Sequence, residues 1–227
     1  MRILVISDVH SNLAALESVL DDVGHYDAAI CAGDIVGYGP NPEECVDRLY
    51  FKGFHCVLGN HDAAVATSET DWFNDDAQTA IRINRSQLSL TSLRWLGSLP
   101  TVLKLELDGI RFAVYHGSPT QPLTSYIYAD DARTHADQII QQTAADITIL
   151  GHTHIPYSVN KHDKHITNPG SVGQPRDNDP RASYALIETV ENTIEHRRVI
   201  YNIDATAEAI DIAGLPHRFA TRLYAGT

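Results

Sequence analysis

The chain has 227 residues, 43% of them hydrophobic, enough for one domain with a sizeable core or two small ones. Its formal charge of −12 argues against stable nucleic-acid binding in a broad groove and against anionic membrane surfaces. Twenty aspartates against four lysines fit a salt-adapted surface or ordinary acidic solubility, and no apolar stretch approaches the ~20 residues needed to span a bilayer.

Residues 2–7 (Arg-Ile-Leu-Val-Ile-Ser) are short, apolar and β-branched and predict a buried strand. The chain enters it directly after Met1, with no secretory leader, so a cytoplasmic protein is expected. Leucines at helical spacing between Asn12 and Leu20 predict a helix that Ser11 or Asn12 can cap. Strand 28–31 ends at Gly33-Asp34. The Gly/Pro-rich loop 37–42 leads into helix 43–52, with Pro42 suited to its first turn. Strand 54–58 then ends at Gly59-Asn60. This alternation is the pattern of parallel βαβ units, whose chemistry sits at strand C-termini. Cys31, Cys45 and Cys56 have no metal-type spacing and read as reduced thiols.

Residues 63–100 lack strand-like runs and hold two helical patterns, 74–86 and 88–98, that stop at Pro100. They predict a helical insertion too short to bury a core of its own, so residues 1–227 are expected to form one domain. Trp72, Phe73 and Trp95 are expected to pack the insertion onto the body rather than stack on a base. Strands 102–107 and 111–115 follow as a hairpin across Asp108-Gly109. Next come a polar loop 118–130 containing Tyr126 and Tyr128, helix 131–144 and strand 146–150. Strands near 156–160, 164–167, 183–188 and 194–201 and an amphipathic helix over 204–214 complete the pattern.

Seven side chains able to bind metal stand at the ends of apolar runs: Asp8, His10, Asp34, Asn60, His116, His152 and His154. They spread from residue 8 to residue 154, so only folding can gather them. Asp8 and His10 are two apart, and alternate residues of an extended segment face one way, so both can reach one cation. His152 and His154 repeat that spacing, which does not say which metal each serves. The Asp34 carboxylate can bridge two cations, as a neutral imidazole cannot. Nitrogen and oxygen donors without thiolate suit manganese first, with iron, zinc, nickel or cobalt as alternatives, over calcium or magnesium.

Two such cations about 3.5–4 Å apart clamp a phosphoryl group and lower the pKa of a bridging water, whose hydroxide attacks phosphorus. They also supply the positive charge that a −12 chain otherwise lacks around an anionic substrate. His61, beside Asn60, can protonate the leaving alkoxide, and an ordinary imidazole pKa near 6.5 suits that task. Asp62 is a catalytic-site candidate with His61, expected to hold His61 or its loop, with a reacting role as the alternative. Asn60, His61, Tyr38 and Arg176 are candidate substrate contacts; packing is the competing reading for Tyr38 and a surface ion pair for Arg176.

The motifs Asp8-Val9-His10, Gly33-Asp34, Gly59-Asn60-His61-Asp62, His116-Gly117 and Gly151-His152-Thr153-His154 together resemble the calcineurin-like metallophosphoesterases. Asn168-Pro169-Gly170-Ser171-Val172-Gly173 and Gly33–Pro40 look like the family's small, single-domain prokaryotic phosphodiesterase-like branch. The resemblance implies an α/β fold, a four-layer αββα sandwich of two mixed sheets. It implies that Asp8, His10, Asp34 and His154 hold one metal, that Asp34, Asn60, His116 and His152 hold the other, and that His61 is the leaving-group acid. The expected activity is a binuclear-metal phosphodiesterase acting on a small phosphoester. The alternatives are a phosphomonoesterase, for protein or dinucleotide polyphosphate, and a non-catalytic scaffold on the same fold. Oligomeric state is left open.

Overall fold

The computed structural model describes residues 1–227. Its first sheet is built on β1 (Arg2–Ile6), β2 (Ala28–Cys31) and β3 (His55–Cys56), all parallel, with α1 (Leu13–Val23) and α2 (Pro42–Phe51) as the crossovers. Asn12 caps α1 through its side-chain oxygen, which accepts from the Ala15 N–H at 3.2 Å. The helical insertion follows as α3 (Asn60–Thr67), α4 (Asp75–Gln87) and α5 (Leu90–Ser98). Asn74 and Ser89 cap α4 and α5 in the same way as Asn12.

The second sheet begins with the antiparallel hairpin β4 (Val102–Leu107) and β5 (Ile110–Tyr115). The segments α6 (Ala129–Thr134) and α7 (Ala136–Thr143) lead to β6 (Ile147–Ile149), parallel to β5. Then β7 (Tyr157–Lys161) and β8 (Lys164–Asn168) complete that sheet, in the order β4-β5-β6-β8-β7. The chain returns to the first sheet with β9 (Ala182–Glu188) and β10 (Thr193–Val199), giving β10-β9-β1-β2-β3. Helices α8 (Ile203–Ile212) and α9 (Arg218–Ala225) close the chain.

Strand alternation explains the layers. Ile3 and Val5 of β1 join Ile30 of β2 and Phe112, Val114, Ile147 and Ile149 of the second sheet in one apolar cluster between the sheets. Leu4 and Ile6 face the other way and pack with Leu16, Val19 and Leu49 of the helices. Ala113 and Tyr115 of β5 likewise meet Ala132, Ala136 and Ile139 on the outer face of the second sheet. Both faces of both sheets are thus covered, as parallel strands require, and the result is a four-layer αββα sandwich.

Several elements differ from the sequence reading. The helix expected over 131–144 is interrupted at His135, between the buried Ala132 and Ala136. The strand expected over 54–58 has two paired residues. Two helices, α3 and α9, were not anticipated. The apolar face of α9 is the short set Phe219, Ala220 and Leu223, which packs with Ile210 of α8 and Ala80 of α4. No helix is long and apolar enough to cross a membrane.

Candidate metal centre

Five of the six strands in parallel pairings, β1, β2, β3, β5 and β6, deliver the candidate ligands from their C-terminal loops to one place. The loops after β1 and β2 stay in register beyond the sheet: Asp8 N–H donates to Gly33 O at 3.0 Å, and His10 N–H to Asp34 O at 3.0 Å. The sequence reading assumed extended backbone at Asp8 and His10. Instead both sit past the strand end with φ of 54° and 48°, and Asp34, His152 and His154 are also left-handed at 53°, 67° and 60°. Such conformations cost a non-glycine residue on the order of 1–3 kcal/mol each and persist where surrounding bonds fix them. Gly59 passes so close to Asp34 that a Cβ there would lie 2.1 Å from Asp34 Oδ1, which explains a glycine before Asn60.

All seven candidate ligands are buried. Six of them fall into two groups, Asp8–His10–His154 and Asp34–His116–His152, and a third group, His10–Asp34–His61, links the two and takes in His61. The two-residue spacing therefore acts differently in the two loops: Asp8 and His10 stay together, while His152 and His154 divide between the groups. Asn60 Oδ1 lies 2.8 Å from His116 Nε2, on the Asp34 side.

The hydrogen bonds around the imidazoles test whether this donor set suits cations. His10 Nδ1, His154 Nδ1 and His116 Nδ1 lie 3.2, 2.5 and 2.8 Å from the carbonyl oxygens of Val36, Gln174 and Ala32. A carbonyl can only accept, so each Nδ1 carries the proton and each Nε2 of a neutral ring presents a lone pair. Yet His10 Nε2 faces His154 Nε2 at 3.1 Å, and His116 Nε2 faces the Asn60 carbonyl oxygen. Acceptors brought this close need positive charge among them. Asp8 Oδ1, 3.2 Å from His154 Nε2, is buried with no hydrogen-bond partner. Asp34 lies between the groups: its Oδ2 is 3.7 Å from His10 Nε2 and 3.3 Å from His116 Nε2. The site is a metal-binding His/Asp cluster in donor type, burial and hydrogen bonding.

The electrostatics agree. Burial works against ionisation of Asp8 and Asp34, yet the facing imidazoles hold both carboxyls below their ordinary range. Burial alone would strip a proton from His116, but Asp34 and then Asp8 outweigh it and raise the ring to about 9. The same field that holds a proton there favours a cation.

His61 lies on the first turn of α3, buried against Tyr38, Phe73 and His10 at ring separations of 4.3, 4.8 and 4.9 Å. Burial, followed among the lowering influences by the Arg176 charge and the neighbouring imidazoles, brings it to about 4 against the pull of Asp34, well below the ordinary imidazole value. Asp62 makes no bond to His61. Its oxygens accept from the Val36 and Gly59 N–H groups, each at 3.0 Å, and so tie the Asp34 loop to the Asn60 loop.

A cavity of about 290 Å³ opens on the cluster and is lined by Tyr38, Asn60, His61 and Arg176, the four candidate substrate contacts. Arg176 pairs with no carboxylate; Nη2 donates to Gln174 Oε1 at 3.1 Å and Nε is buried without a partner. Tyr38 both lines the cavity and packs on Phe219 at 4.9 Å, so its two readings coexist. Asn12 and Ser11 are engaged structurally, Asn12 as a cap and Ser11 in a bond to Asn84.

Trp72 and Phe73, expected from sequence to pack the insertion onto the body, are cavity walls together with Asn74, Thr124 and Tyr126, and Tyr126 stacks on His152 at 4.0 Å. Phe73 and Trp95 do pack onto the body, whereas Trp72 is 57% exposed. Sequence reasoning missed Asn84, although a buried polar residue seven after Ala77 on an apolar helical face was a visible signal. The carbonyls that orient the imidazoles carry no side-chain signal at all.

A sequence profile of the calcineurin-like phosphoesterase superfamily domain matches residues 1–192. The chain is 35% identical over 244 residues to an uncharacterised protein of Methanocaldococcus jannaschii, covering 99% of this chain and 98% of that one. Among solved structures, a metallophosphoesterase from Sphaerobacter thermophilus is 39% identical with a TM-score of 0.87, over 100% of this chain and 99% of that chain. A hypothetical protein from Pyrococcus horikoshii OT3 is 19% identical with a TM-score of 0.92, over 100% and 98% of the two chains, a likeness of fold.

Proposed function

The chain belongs to the calcineurin-like phosphoesterase superfamily, and we propose that it is a two-metal phosphodiesterase. In this reading Asp8, His10, Asp34 and His154 hold one cation, and Asp34, Asn60, His116 and His152 hold the other. The carrying observation is the placement of Asp34 Oδ2 between two sets of facing imidazole nitrogens, at 3.7 and 3.3 Å. Two cations bound there would withdraw charge from a phosphoryl group and ease deprotonation of the attacking water.

The remaining roles fall to the chain itself. Arg176, cationic and without a carboxylate partner, takes a non-bridging phosphate oxygen, and the Asn60 side chain borders the same space. His61 gives its proton to the leaving oxygen. A phosphate anion beside His61 favours the protonated ring and offsets the downward pull of burial and Arg176. Asp62 keeps the two loops in position from behind.

Two aromatic walls, one beside His61 and one beside His152, support a diester over a monoester. Phe73 and Trp72 continue outward from His61, and Tyr126 covers His152. An organic group on each side of phosphorus uses both walls; a monoester leaves one idle. The test is the kcat/KM of metal-reconstituted protein, with manganese, iron, zinc, nickel or cobalt, for bis(4-nitrophenyl) phosphate against 4-nitrophenyl phosphate. The diester is expected to be the better substrate. The reverse order overturns the diester reading in favour of a phosphomonoesterase.

A further inference from the structure

The wall beside His61 has a shape of its own. Phe73 meets the His61 ring edge-on at 4.8 Å and 65°. Trp72 lies over Phe73 with its ring tilted by 31°, at 3.9 Å between centroids, and remains 57% exposed. An exposed tryptophan stacked on a half-buried phenylalanine at the rim of a reaction cavity presents a flat π surface. Asn74 follows directly and also lines the cavity. Its carboxamide oxygen is taken by the Ala77 N–H at 3.0 Å and by Arg218 at 2.8 Å, while its amide nitrogen makes no hydrogen bond within the chain. A π surface with an adjacent amide donor matches a flat heteroaromatic ring that carries acceptors on its edge.

Resting on the phosphodiesterase reading above, we propose that the substrate is a nucleotide-type phosphodiester whose leaving side carries a nucleobase stacked on Trp72, which Phe73 backs, with Asn74 at the base edge. The volume sets the number of rings. About 290 Å³ is at the low end for small-ligand sites, so it suits one base with its sugar and phosphate, not two. A lipid phosphodiester would need a long apolar channel, whereas four of the twelve cavity-lining residues are hydrophobic. Water's oxygen bonds to phosphorus, the P–O bond on the nucleoside side breaks, the proton from His61 ends on the nucleoside hydroxyl, and the proton that the water loses passes to solvent, from which His61 is reprotonated. The other ester arm stays on the phosphate, on the Tyr126 side.

The test compares the methyl ester of adenosine 5′-phosphate with the methyl ester of 1-O-methylribose 5-phosphate, which keeps the reacting atoms and lacks the base. Stacking on one base predicts a kcat/KM ratio of about 5- to 150-fold in favour of the adenosine ester. The ratio should collapse toward one in Trp72→Leu and largely return in Trp72→Phe, with nucleoside and methyl phosphate as products. Equal rates on both esters, an unchanged ratio in Trp72→Leu, or release of methanol would overturn the inference while leaving the diesterase reading intact. A second measurement does not depend on turnover. In Trp95→Phe, where Trp72 is the remaining tryptophan, adenosine 5′-monophosphate should quench the fluorescence of the metal-loaded protein and ribose 5-phosphate should not. Absence of that difference overturns the base slot. Quenching by the nucleotide in protein inert to bis(4-nitrophenyl) phosphate and to both esters would contradict the diesterase reading instead.

Discussion

The two oxygens of Asp34 have different environments. Oδ1 accepts from the His61 backbone N–H at 2.8 Å, and Oδ2 faces imidazoles on both sides. One residue thus anchors the α3 turn and joins the two halves of the cluster. Asn60 serves one half, beside His116, so Asn60→Ala should lose one of two bound metals by elemental analysis, and equal content in variant and wild type would count against the assignment. His61 lies outside both halves in this account. His61→Ala should keep both metals while kcat on a diester with a poor leaving group falls by about 10²–10⁴. Unchanged turnover by the metal-replete variant would remove the acid role. The residues that cluster were legible in the sequence, because side chains gathered at strand ends leave short motifs. It hid the grouping, since His152 and His154 have the same two-residue spacing as Asp8 and His10 and yet divide between the groups. The depressed His61 was equally hidden, because its burial comes from Tyr38 and Phe73, residues on two other segments.

At the scale of elements, α4 braces the site from outside. Asn84 is fully buried; its oxygen accepts from Ser11 Oγ at 2.8 Å and the Gly37 N–H at 2.6 Å, and its amide donates to Gly39 O at 2.9 Å. Those bonds fix the loop that carries Tyr38 and abuts His61. Asn84→Ala leaves buried polar groups unpaired and should cost about 1–3 kcal/mol for each group left without water. Urea unfolding should show this loss together with a lower kcat, and a variant as stable and active as wild type would contradict the bracing role. The elements β1, α1, α2 and α4 were legible because their apolar residues recur at regular spacing and are buried. Short ones were not: β3 has two paired residues, and α3 opens with Asn60, His61 and Asp62, whose polar character hides a helical turn. The loop walls contributed by Trp72, Asn74 and Thr124 have no periodicity to read.

The molecule as a whole carries −12, and two of the carboxylates in that total, Asp8 and Asp34, lie buried in the cluster. Charge buried in this way destabilises a fold unless it is matched. Cations bound to the native state alone supply the match, and each site should add about 2.7 kcal/mol when free metal stands at about 100 times its Kd. Thermal unfolding with and without chelator tests this; an unchanged midpoint would contradict a metal site coupled to the folded state. The same balance explains how an acidic chain can hold an anionic ester, since Arg176 is the one lysine or arginine lining the cavity. The most direct test of the whole account is the hydrolysis of bis(4-nitrophenyl) phosphate by chelated protein as manganese is returned in measured equivalents. The account predicts activity that rises to a plateau at two equivalents per chain in wild type and stays absent in Asp34→Asn. A plateau at one equivalent, or the same curve in Asp34→Asn, would contradict it.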